Sequence, residues 1–144
     1  AKPKEHNLSV ILENLTQDGQ TQTMGQKFIP EITNGDTRII LINGEPVPFG
    51  LARVPATGET RGNLAAGGTG EGRELNDRDL FICKEIGETL RRKGLYFVGI
   101  DVIGDYLTEI NVTCPTCVVE LNKLFDLDIG NDYIEFIEEK VLTD

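Results

Sequence analysis

Asp101, Glu109 and Asn111 are the side chains of this sequence best suited to hold a hard cation. Two strand-like runs, Leu95 to Ile103 and Leu107 to Thr113, flank Gly104-Asp105 and read as a hairpin. On the first run Tyr96, Val98, Ile100 and Val102 share one face, and on the second Ile110 and Val112 share one. A two-residue turn sets Ile100 opposite Glu109 and buries a carboxylate among aliphatics, which is costly. A turn of about three residues sets Ile100 opposite Ile110 and keeps that face apolar. This second register is the expected one. It places Asp101 opposite Glu109, and Gly99, with no side chain, opposite Asn111. Like charges this close need a proton or a cation between them. Oxygen ligands of this kind suit Mg²⁺, which keeps waters and phosphates in its remaining positions. The same pattern also fits a solvated polar sheet face.

Three arginines could supply the matching charge. Asn43-Gly44 between two apolar runs signals a two-residue hairpin turn. Arg38 then opposes Phe49, Arg53 opposes Asn34, and the two arginines share a face. Guanidinium forks match carboxylate and phosphate oxygens. Arg61, on a glycine-rich loop, could close over the same face. Carboxylates, two anchored arginines and a third on a loop make a phosphoryl-transfer site. Taken singly, each arginine reads as readily as a surface ion pair.

The remaining elements must position these groups. Leu8, Ile11, Leu12 and Leu15 recur at helical spacing between Asn7 and Gln17. Thr23 to Ile29 reads as a strand stopped by Pro30, and Asp36 to Ile42 as another, returning from about Pro46 to Arg53. Pro55 to Gly72 holds six glycines; a loop of this length is functional or a linker, and residues 54–73 are read as a flexible substrate loop. Asn76 offers an N-cap with Asp79 three residues on, Arg91-Arg92 close the helix and Gly94 follows it. Two further helices are expected, from about Cys117 to Leu124 and from about Asp132 to Leu142, the last burying Ile134, Ile137 and Val141. The sum is one α+β domain over residues 1–144, an antiparallel sheet with flanking helices.

Composition excludes several function classes. A formal charge of -10, from 24 acidic and 14 basic side chains, speaks against a general nucleic-acid surface, which needs Lys and Arg against phosphate. No apolar run is long enough to span a membrane, and no basic-apolar leader opens the chain. Three cysteines, Cys83, Cys114 and Cys117, are too few for a disulfide scaffold and suit a reducing cytosol.

Three stretches resemble bacterial glutathione synthetases. ARVPATGETRGNLAAGGTGEGREL is similar to their substrate loop, GLYFVGIDVIGDYLTEINVTCPTC to their metal-binding hairpin, and MGQKFIPEITNGDTRIILINGEPV to the segment after the adenine-binding linker. The resemblance covers nearly the whole chain and weakens before about Gln20. It implies the C-terminal lobe of an ATP-grasp ligase that joins γ-glutamylcysteine to glycine through an acyl phosphate, with ATP and Mg²⁺, or Mn²⁺ in its place. By match to those motifs, Asp101, Glu109 and Asn111 hold the metal. Arg38 and Arg53 steady phosphates and the acyl phosphate. Gln26, Lys27, Phe28 and Ile29 meet adenine, and Asp36 lies near the nucleotide. Arg61, Gly62 and Asn63 shield the intermediate, and Thr113, Cys114, Pro115 and Thr116 lie near the peptide substrate. A cytoplasmic homo-oligomer is implied as well.

The sequence departs from that family in two ways. Cys114 stands where serine is expected and creates CPTC. A zinc site there needs His6 and Cys83 to converge, and a thioredoxin-type pair needs its first Cys at a helix N-terminus; a small packing residue is the expected role. The family's enzymes are also about twice as long. The first-lobe lysines and glycine-rich phosphate loop have no counterpart here, so these residues alone are expected to lack catalysis. Two other readings stay open: an ATP-grasp ligase with a different acceptor, and a domain that only binds a divalent metal or an anion.

Overall fold

Alternation of apolar and polar residues organises the chain around one antiparallel sheet. A computed structural model describes residues 6–59, 62 and 68–143. Its strands are β1 (Asp36–Ile42), β2 (Glu45–Val54), β3 (Thr69–Glu74), β4 (Phe97–Ile103) and β5 (Tyr106–Asn111), in the order β3-β2-β1-β4-β5. Helices α1 (Leu8–Thr16), α2 (Asp77–Arg92), α3 (Val118–Phe125) and α4 (Ile129–Thr143) accompany it. The α+β class with an antiparallel sheet is as expected.

The sheet carries a core on each face. Ile39, Leu41, Val98, Ile100 and Val102 meet Ile82, Cys83 and Leu90 of α2. On the other face Ile40, Val47 and Leu51 meet Cys117, Leu121 and Ile129, and Phe49 stacks on Phe125 of α3. Each such aliphatic side chain removed from water contributes about 1.5–3 kcal/mol. Helix α2 starts at a capping box: Asn76 accepts from the Asp79 N–H, and Asp79 accepts from the Asn76 N–H.

Both hairpins keep the expected faces by a route that alternation does not reveal. In the first, Ile42 pairs with Glu45 across Asn43-Gly44. Both turn residues have positive φ, as such a turn requires. An irregularity between Ile39 and Leu41 then places Arg38 opposite Leu51 and Arg53 opposite Asp36, not Phe49 and Asn34. The shift is even, so the arginines still share a face. In the second hairpin the turn is two residues, not three: Ile103 pairs with Tyr106. A bulge beside Asp101 takes up the extra residue, Thr108, whose hydroxyl donates to the Asp101 carbonyl at 3.0 Å. The register beyond it is the expected one, with Asp101 opposite Glu109 and Gly99 opposite Asn111.

Other expectations are corrected. Thr23 to Ile29 is not a strand; residues 22–29 have no regular secondary structure ahead of a 3₁₀ turn, Pro30–Asn34, because no strand among the described residues pairs with them. Part of the glycine-rich span, read as loop to residue 73, is strand: β3 pairs along β2, Val54 with Thr69 through Phe49 with Glu74. Backbone pairing at a sheet edge orders glycines that side-chain propensity would leave unstructured. Tyr96 does not share the face of Val98; its ring meets Phe136 of α4. On α4 Ile129 is buried and Tyr133, Phe136 and, as expected, Ile137 are half-buried, while Ile134 and Val141 are exposed, because the aromatic side chains offer more contact area to Phe97 and Tyr96.

The α2 helix reaches the sheet through two glycines. A Cβ on Gly87 would lie 2.3 Å from the Gly44 carbonyl oxygen, and one on Gly44 would lie 2.5 Å from that of Gly87. Backbone faces backbone here, so neither side can yield. Gly87→Ala is expected to cost about 1–3 kcal/mol in urea unfolding, in the range of overpacked sites; an unchanged midpoint would show that α2 can shift freely on the first hairpin.

Candidate functional site

The even-numbered face of β1 is apolar at one end and charged at the other. Ile40 and Ile42 join the α3–α4 core, whereas Asp36 and Arg38 point the same way beyond its edge. Neighbouring strands bring Arg53 opposite Asp36 and Asp101 opposite Arg38. Arg38 and Asp101 are both buried. The guanidinium grips the carboxylate twice, Nε to Oδ1 at 2.5 Å and Nη2 to Oδ2 at 3.0 Å. This fork geometry is the strong form of the pair.

Arg53 approaches from β2, one strand further across the sheet. Its Nη2 donates to Asp36 Oδ2 at 2.5 Å and lies 2.9 Å from Asp101 Oδ2. Burial pushes the Asp36 carboxyl up from its ordinary value, Asp101 adds to the push, and Arg53 and Arg38 oppose it. For Arg53, burial works against the charge, but Asp36 and Asp101 outweigh it and hold the guanidinium more firmly protonated. Among the described residues, two buried side-chain polar atoms lack a partner, Asp36 Oδ1 and Arg53 Nε.

Two close approaches shape the site. A Cβ on Gly99 would meet Pro115 Cβ at 2.7 Å and Arg38 Cδ at 3.1 Å. Glycine therefore lets Arg38 lie flat under the chain that follows β5. A Cβ on Gly62 would fall 2.4 Å from the Arg53 carbonyl oxygen and 3.3 Å from Asp36 Cβ, so this loop residue lies directly on the charged cluster.

The structure brings together Asp36, Arg38, Arg53, Gly62, Asp101, Glu109 and Asn111 among the expected residues. In its better-satisfied orientation the Asn111 amide donates to Glu109 Oε1 at 2.9 Å and accepts from Arg38 Nη2 at 3.2 Å. Pro115 is buried against Gly99, and the Thr116 hydroxyl lies 3.5 Å from Arg38 Nη1. Thr113 and Cys114 are exposed. Gln26, Lys27 and Phe28 are exposed and Ile29 is half-buried; no hydrogen bond or ion pair among the described residues ties them to the cluster. Arg61 and Asn63 lie outside the described residues. Sequence reasoning missed Thr108 and the division of Arg53 between two aspartates, since a bulge leaves no periodic signal.

The convergence of Cys83 that a zinc reading of CPTC requires is not seen. Cys83 lies in the α2 core and Cys117 in the α3–α4 core, on opposite faces of the sheet. No group of three His, Cys, Asp or Glu residues suited to a metal is present among the described residues. Cys114 is exposed, so a packing role does not hold for it; Cys117 takes that role instead. Burial pushes the Cys83 thiol up to about 12, with Asp79 adding to it, and burial raises Cys117 as well.

Residues 1–126 match the family described as prokaryotic glutathione synthetase, ATP-grasp domain, and this α+β lobe with its charged groups at one end of the sheet is therefore of the ATP-grasp class. The chain belongs to that prokaryotic glutathione synthetase family. It is 58% identical over 137 residues to a glutathione synthetase of Coxiella burnetii, covering 95% of this chain and 43% of that protein. It is 60% identical over 131 residues to that of Pseudomonas aeruginosa, covering 91% and 41%. For Vibrio parahaemolyticus the figures are 55% over 140 residues, covering 97% and 44%. The chain thus spans less than half the length of the curated relatives it matches.

Two outcomes follow. Arg38→Met is expected to cost about 3–5 kcal/mol in urea unfolding, because it strips the fork from a buried carboxylate. Adding Asp101→Leu should return part of that loss, and two costs that simply add would mean the pair is not coupled. With a thiol reagent at pH 8, one cysteine, Cys114, should react quickly in the native protein and the other two only on unfolding; three fast thiols would contradict the burial of Cys83 and Cys117.

Proposed function

We propose that this chain forms part of the active site of an ATP-dependent carbon–nitrogen ligase that joins γ-glutamylcysteine to glycine. The observation that carries the reading is the cluster of buried Arg38 and Asp101 with half-buried Arg53 and Asp36, beside Glu109 and Asn111. A set of anchored charges at one edge of a sheet is what phosphoryl transfer requires, since positioning and charge stabilisation supply most of the catalysis.

The donor set fits a hard divalent cation. Glu109 is exposed, and in the better-satisfied orientation of Asn111 its carboxylate accepts from that amide, which sets two oxygen-bearing side chains side by side opposite Gly99 and Asp101. In this reading Asp101, Glu109 and Asn111 hold Mg²⁺ or Mn²⁺. The ion when bound neutralises charge on the transferring phosphoryl group. Arg38, engaged on three sides, fixes Asp101 and Asn111. Arg53, more exposed than Arg38, is the guanidinium able to meet a phosphate or acyl-phosphate oxygen.

The dipeptide carboxylate attacks the γ-phosphorus and ADP leaves. The glycine amine then attacks the acyl carbon, the C–N bond forms, and phosphate departs. Arg61, Gly62 and Asn63 exclude water from that intermediate. Gln26, Lys27, Phe28 and Ile29 present backbone to adenine, Asp36 stays close to the nucleotide, and Thr113 to Thr116 border the peptide. The glycine-rich span serves as the substrate loop. No described helix is long and apolar enough to cross a membrane, and three free cysteines support a reducing cytosol; a homo-oligomer belongs to the same proposal.

The test is ADP release by the intact protein. It should require γ-glutamylcysteine and glycine together, and Glu109→Gln should lower kcat by about 100-fold, as for loss of one charge-stabilising group. Turnover with a different amine acceptor would redirect the assignment to another ligase. Metal binding without any turnover would leave only a binding domain.

A further inference from the structure

Asp36 Oδ1 and Arg53 Nε are an acceptor and a donor on the two members of one ion pair, and both are buried without partners. An unpaired buried polar atom is costly, and here two complementary ones sit in adjacent side chains. The reason is visible in the geometry. Arg53 Nη2 is divided between Asp36 Oδ2 at 2.5 Å and Asp101 Oδ2 at 2.9 Å. A full fork on Asp36 would use Nε and Nη2 against both carboxylate oxygens, the arrangement that Arg38 already makes on Asp101. Asp101 receives two guanidiniums, and Asp36 receives half of one.

We propose that Arg53 stands on Asp101 where a divalent cation binds, and that Asp36 is the positioning residue that takes Arg53 as a full fork when the cation displaces it. The proposal rests on the reading of Asp101 as a metal ligand. Arg38 is not the group that moves. Its side chain is 6% exposed, and Asp101, Asn111 and Thr116 hold it. Arg53 is more exposed, at 14%, and stands next to the last residue of β2. A short swing of its guanidinium exchanges one cation for another beside Asp101. No buried charge is left bare during the exchange, which would otherwise be strongly unfavourable. Both idle atoms acquire partners in the same movement.

The proposal is tested by Mn²⁺ titration of the intact protein without nucleotide, read from the electron paramagnetic resonance signal of free Mn²⁺. Arg53→Gln removes the resident cation and should tighten Mn²⁺ binding by about tenfold, the equivalent of one charged hydrogen bond. Asp36→Asn removes the receiving site and should weaken binding in the parent protein. In the Arg53→Gln background the same change should have almost no effect. Equal weakening in both backgrounds would mean that Asp36 acts through its own charge, and would overturn the proposal. So would an Arg53→Gln protein that binds no more tightly.

A measurement on the unaltered protein covers the case of a variant that does not fold. Added Mg²⁺ should bring the Arg53 Nε–H resonance into slow exchange with water as it gains an acceptor; an unmoved resonance refutes the exchange. ADP release that needs both substrates, combined with an unmoved resonance, would sink this proposal alone. A moved resonance without turnover would sink the ligase reading alone, and absence of Mn²⁺ binding at millimolar concentration would sink both.

Discussion

The Asp101 carboxylate, set between two guanidiniums inside the sheet, is the constraint on which the rest of the site depends. A buried carboxylate needs counter-charge with good geometry. The fold supplies it from β1, the neighbour of β4, and from β2, one strand further across the sheet. Arg38 comes from β1 and Arg53 from β2, and only this strand order brings both to one carboxylate on β4. The bulge at Thr108 belongs to the same constraint. Without the extra residue, the register of the two-residue turn would carry through and Asp101 would face Thr108, not Glu109.

The two halves of this sheet face solve different problems. At one end Ile40, Leu51 and Leu121 are buried against α3, and dispersion and water exclusion hold the layers together. At the other, the same strands carry charge in a partly enclosed setting, where neighbouring groups are poorly screened. Burial and Asp101 together raise Asp36, while the arginines oppose them. A site built this way is rigid in its strands and poised in its charges.

Much of this was legible from residue types. Val98, Ile100 and Val102 alternating with Gly99 and Asp101 fixed which side of β4 is polar, and burying Glu109 was too costly for the other register. Asn43-Gly44 marked the first turn, and Asn76 with Asp79 marked the start of α2. The strand irregularities were not legible, because alternation reports the parity of a register and not its exact offset. Parity alone puts Arg38 and Arg53 on the correct face but opposite the wrong partners. The strand Thr69–Glu74 was hidden for a related reason. Glycine carries no side-chain signal, and what orders this segment is the exposed edge of β2.

The α4 helix shows where local pattern loses to tertiary contact. Ile134, Ile137 and Val141 form a good helical stripe, and so do Ile129, Tyr133 and Phe136. Sequence periodicity cannot choose between two stripes on one helix. The surface beneath it decides: Phe97 stacks with Tyr133 at 4.7 Å, and Tyr96 meets Phe136 at 5.3 Å. Aromatic side chains bury the larger area and add a geometric preference of about 0.5–1.5 kcal/mol per pair. That anchors the helix on the end of the sheet away from the charged cluster. The apolar end is thus held by ring packing, and the polar end by ion pairs.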